Sequence, residues 1–100
     1  MKIKIYKNSL LDNFTVYMND KKRDCLIVNG KEFQYNINKF KVLVCDIVSD
    51  WPQKLEEEGL VDGVQYKIVI KQSGQETIYQ FNNKFPEDFY RLEILLQEIV

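Results

Sequence analysis

The stretch DCLIVNGKEFQYNI, residues 24–37, decides how this chain is read. Asp24 to Val28 and Lys31 to Ile37 are runs rich in β-branched and aromatic residues, with Asn29-Gly30 between them. A two-residue loop between antiparallel strands needs positive φ at both central positions, and Asn followed by Gly adopts it at least cost. The stretch therefore reads as a β-hairpin of fixed register. Leu26 faces Phe33 on one side of the ribbon, while Ile27 faces Glu32 and Cys25 faces Gln34 on the other.

Toward the N-terminus, Ile3 and Ile5 alternate with Lys2, Lys4 and Tyr6, and Phe14, Val16 and Met18 alternate with Thr15 and Tyr17. Period two marks strands with one buried face. Asn19 to Arg23 reads as a polar turn. Beyond the hairpin the period lengthens. Phe40, Leu43, Val44, Ile47, Val48 and Trp51 fall on one helical stripe. Asn38 is the expected N-cap, and Ile37 with Val42 has the spacing of a hydrophobic staple. Pro52 breaks that helix, and Gln53 to Glu58 is expected to form a short helical turn ending at Gly59.

A second hairpin follows. Val64 to Gln72 and Gln75 to Phe81 flank Ser73-Gly74, which sets Lys71 against Glu76, Val69 against Ile78, Ile68 against Tyr79 and Tyr66 against Phe81. Pro86, with Glu87 and Asp88 after it, opens a last helix whose buried stripe is Phe89, Leu92, Leu95, Leu96 and Ile99. The expected order is ββββ-α-ββ-α: a single α+β domain over residues 1–100, an antiparallel sheet with both helices on one face.

Bulk composition narrows function mainly by exclusion. The chain has 100 residues, of which 45% are hydrophobic and 13% aromatic, enough to build a core without staples. Fourteen basic and fifteen acidic residues give a net charge of −1 with no obvious basic stripe, which argues against nucleic acid. No apolar run is long enough for a membrane span, and Met1 to Lys7 lacks the apolar block of a signal peptide, so a cytoplasmic protein is expected. In that setting Cys25 and Cys45 are expected as free thiols.

Histidine is absent. That removes histidine-activated nucleophiles, the commonest general base and the commonest metal ligand. The four glycines are isolated and form no phosphate loop. Cys45 lies mid-helix beside Asp46, where nothing favours a thiolate. Asp46, Asp50, Glu56, Glu57, Glu58 and Asp62 lack the alternating oxygen-ligand spacing of a calcium loop and read as a solvated acidic face. Lys21-Lys22-Arg23 is bracketed by Asp20 and Asp24. The lysines of the first strand read as guards on a sheet edge. The expectation is a protein without enzymatic activity, cofactor or metal.

What remains is surplus apolar surface. Val42 and Cys45 project from the first helix away from its stripe, and Tyr90 and Ile94 stand one turn apart on a flank of the last. Tyr6 and Tyr17 point opposite to Ile5 and Val16, and Val69 with Ile78 lies opposite to Ile68 with Tyr79. Contiguous apolar surface marks an interface. The expected function is a small interaction domain, an accessory, regulatory or inhibitor protein binding a protein partner or a second copy of itself. The alternative is a small-molecule binder with a pocket between sheet and helices lined by Trp51, Tyr66 and Phe81. A histidine-free enzyme using carboxylate, lysine or tyrosine stands third.

Overall fold

The structure, a computed structural model, describes residues 1–21, 24–57 and 63–100. Four strands open the chain: β1 (Lys2–Asn8), β2 (Phe14–Asn19), β3 (Cys25–Val28) and β4 (Lys31–Gln34). Then come α1 (Ile37–Val48), β5 (Lys54–Glu56), β6 (Gln65–Gln72), β7 (Gln75–Asn82) and α2 (Tyr90–Gln97). The strands form one seven-stranded sheet in the order β4-β3-β2-β1-β6-β7-β5. The radius of gyration is 13.4 Å, close to the ~13 Å of a single folded unit of this length.

Both hairpins have the register their sequences predict. Leu26 pairs with Phe33 and Ile27 with Glu32; Lys71 pairs with Glu76, Val69 with Ile78 and Tyr66 with Phe81. Asn29 and Gly30 have φ of 51° and 81°, and Ser73 and Gly74 have 52° and 79°. Positive φ at both central positions gives type I′ turns, whose twist matches that of the flanking strands.

Alternation along the strands sends Ile3, Ile5, Val16, Met18, Leu26, Tyr66, Ile68 and Phe81 to one face, where all are buried. Phe40, Val44, Ile47 and Val48 of α1 and Leu92, Leu95 and Leu96 of α2 close over that face in a single core. The result is a two-layer α+β domain with its helices on one side of the sheet.

Three expectations are corrected. Lys54–Glu56 is a strand and no helical turn: it pairs in parallel with β7, Leu55 opposite Phe81, so the sheet is mixed and not purely antiparallel. Gly59, the expected end of that turn, lies outside the described residues. The N-cap of α1 is Asn36 and not Asn38. Its side chain accepts the Lys39 N–H at 3.0 Å, and the staple across this turn is Tyr35 on Phe40, rings 6.3 Å apart and nearly perpendicular. At the last helix, Pro86 opens a tight turn closed by Phe89 N–H donating to its carbonyl at 3.0 Å, and regular helix starts at Tyr90.

Candidate interaction surface

The first strand lies at the centre of the sheet, hydrogen-bonded to β2 on one side and β6 on the other. Its lysines therefore guard no edge. Lys2 and Lys4 stand in the middle of the face the helices leave open, and the pairing register sets other side chains beside them. One row runs Ile27, Tyr17, Lys4, Val69, Ile78 across five adjacent strands, from β3 to β7. The next row places Tyr6 between Thr15 and Lys67, and the row on the other side places Lys2 beside Lys71, which faces Glu76. A solvated sheet face alternates to polar residues; this one carries Ile27, Tyr17, Val69 and Ile78 in one row and the Tyr6 ring in the next.

Two adjoining depressions mark the band. One, of about 220 Å³, is bounded by Lys2, Lys4, Tyr6, Tyr17, Lys67, Val69, Lys71 and Glu76. The other, of about 330 Å³, is bounded by Lys4, Tyr6, Thr15, Tyr17, Ile27 and Gly30, with Val16 beneath. They share Lys4, Tyr6 and Tyr17. The Lys4 ammonium sits 5.4 Å from the centre of the Tyr17 ring, a cation–π contact that holds both side chains over the sheet. Lys71 is paired with Glu76 at 3.3 Å. Among the described residues Lys2, Lys4 and Lys67 have no ion-pair partner.

The other expected surface residues lie elsewhere. Val42, Tyr90 and Ile94 are 63%, 59% and 56% exposed and belong to the helical layer, so the six singled out from sequence do not form one patch. Cys45 lies on α1. It is half-buried, with its thiol 3.9 Å from the Met1 sulfur, and burial pushes its pKa up against the opposing pull of Lys41. A thiol so placed is a packing group, not a nucleophile. Cys25 is a separate thiol on β3.

The rings assigned to a ligand pocket pack on one another. Trp51 is stacked on Phe89 at 5.5 Å and edge-on to Phe81 at 5.6 Å, and Tyr66 meets Phe89 at 4.8 Å. They fill the core between sheet and helices. The Trp51 indole N–H donates to Asp88 at 2.7 Å, and Arg91 holds Asp88 at 3.4 Å and Asp46 at 2.8 Å. This polar tie fastens α2 to α1 and absorbs Asp46, one of the carboxylates weighed as a cation ligand. Among the described residues no cluster of three metal-ligating side chains occurs, and no helix is long and apolar enough to cross a membrane. Lys22, Arg23, Glu58 and Asp62 lie outside the described residues.

One exposed feature escapes sequence reasoning. Leu10 and Leu11, between β1 and β2, are 80% and 98% exposed. Ser9 and Asn13 close the loop beneath them: Asn13 Oδ1 accepts the Ser9 N–H at 2.8 Å, and the Ser9 hydroxyl donates to the Asp12 carbonyl at 2.7 Å. Two adjacent leucines between strands give no periodic signal, so only the loop's geometry shows them facing solvent.

No family model, curated protein or solved structure matches the chain.

Proposed function

We propose that the protein is a non-catalytic interaction domain whose working surface is the open face of its sheet, and that it binds a protein partner there. The observation that carries this reading is the in-register row across five strands in which Ile27 and Tyr17 on one side of Lys4, and Val69 and Ile78 on the other, form an apolar band with Tyr6 beside it. Rigid aromatic and aliphatic groups held on a sheet lose little conformational freedom on binding, which suits them as anchors. Partner capture tests the reading. The double variant Tyr17→Thr, Val69→Thr keeps β-compatible residues at both sites and should keep the fold while losing the partners that the wild-type protein retains. Tyr90→Ser with Ile94→Ser, on the helical layer, should retain them. A partner set unaffected by the open-face variant, or lost only with the helical one, overturns the proposal.

A further inference from the structure

Resting on that reading, we infer that the segment docking on the open face is an acidic amphipathic helix of the partner, its apolar stripe on the band and its carboxylates on the flanking lysines. Charge is the first argument. Four lysines and a single glutamate border the central depression, and three of those lysines have no internal ion-pair partner among the described residues. The chain as a whole carries −1, so the lysine excess is a property of this depression, while Glu32 stands beside Ile27 at the end of the band. Complementary potential selects partners and speeds encounter.

The same charges discriminate between occupants. A second copy laid face to face would set these lysines against their own images, a repulsive arrangement for the self-complementary patch that a two-fold dimer needs. Single-stranded nucleic acid reads such faces by stacking bases on free rings. Here Lys4 already sits over the Tyr17 ring, and Ile27, Val69 and Ile78 are aliphatic. Architecture supplies the second argument. The helices cover one side of the sheet only, which leaves the length of the band open to an added element. From β3 to β7 the band crosses four strand spacings, about 19 Å, which a helix of about 13 residues spans.

The test uses fluorescein-labelled helical peptides of about 14 residues with leucine at i, i+3, i+4 and i+7, the remaining positions being mostly glutamate in one and lysine in the other. A single-stranded uridine oligonucleotide is the third probe, and binding is read by anisotropy at low salt. The glutamate peptide should bind at least about 10-fold more tightly than the lysine peptide. That affinity should fall about 10-fold or more in Lys4→Glu, Lys67→Glu, and fall with rising salt. Circular dichroism and a thermal melt confirm that the variant is folded; if it is not, Lys4→Gln, Lys67→Gln takes its place with the same expectation. No binding of the glutamate peptide, equal binding of both peptides, or preference for the oligonucleotide overturns the inference. The outcome is separable from the parent reading: partner capture that needs Tyr17 and Val69 but ignores the lysine variants leaves the working surface in place and removes only the acidic helix.

Discussion

Asp88 shows how much one residue at a junction can control. Its carboxyl is held below the usual carboxylate value of 3.8, first by the Trp51 N–H that it accepts and then by Arg91. A carboxylate with a depressed folded-state pKa contributes stability above its unfolded value and loses it as pH falls through the folded one. Acid unfolding below about pH 4 should therefore be less steep in Asp88→Asn than in the wild type. The asparagine side chain would keep an acceptor for the indole, whereas Asp88→Ala leaves that N–H unpaired beside the core. Thermal melts at neutral pH should rank wild type above Asp88→Asn and Asp88→Ala lowest; an alanine variant as stable as wild type would mean that the tie contributes nothing. Tyr66 makes the opposite case at high pH. Burial first, then the nearby Glu93 and Asp12 charges, pushes its phenol from 10.0 up to about 12. Its contribution is intact below the unfolded value of 10 and is lost as pH rises toward 12, because only the unfolded chain ionises there. Tyrosinate absorbance should show a phenol ionising near pH 12 in folded protein and none so late in urea.

At the scale of elements, the hairpins are the most legible part of the sequence and the sheet's edges the least. Asn29-Gly30 and Ser73-Gly74 announce their turns because few residue pairs accept positive φ twice in a row. A Cβ at Gly30 or Gly74 would meet nothing within 4 Å, so the cost of substitution there is backbone strain alone. Gly30→Val and Gly74→Val should each destabilise by about 1–3 kcal/mol in denaturant melts. Unchanged stability in both would contradict the turn assignment. Lys54–Glu56 is illegible for a physical reason. Lysine, leucine and glutamate are good helix formers, and three residues are too few for a period. The strand exists because β7 offers it backbone partners: Gln80 N–H donates to the Gln53 carbonyl at 2.7 Å and Glu57 N–H to the Asn82 carbonyl at 3.0 Å. The cap of α1 falls two residues before its expected place because Asn36 and Asn38 are equivalent to any local rule. Tyr35 breaks the tie by packing on Phe40.

Strand order is a property of the whole molecule, and the candidate surface depends on it. Lys2, Lys4, Tyr6 and Tyr17 are identifiable as one-sided residues from alternation alone, but their meaning changes with position. At an edge such lysines repel unwanted strands; at the centre, beside Val69 and Ile78 from the distant β6 and β7, they border an apolar band. No local signal says that β1 inserts between β2 and β6, because the β1–β6 pairing joins segments far apart in the chain, Ile3 with Ile70 and Ile5 with Ile68. Whether the open face is the surface covered in use is tested most directly by lysine acylation footprinting. The protein is labelled in a concentrated extract of its native cells and, separately, after purification, and each lysine's modification is read by mass spectrometry. Lys4 and Lys67 should be protected in the extract, while Lys39 on α1 and Lys84, ahead of α2, react equally in both. Equal reactivity of Lys4 and Lys67 in the two samples, or protection confined to Lys39 and Lys84, would contradict the account.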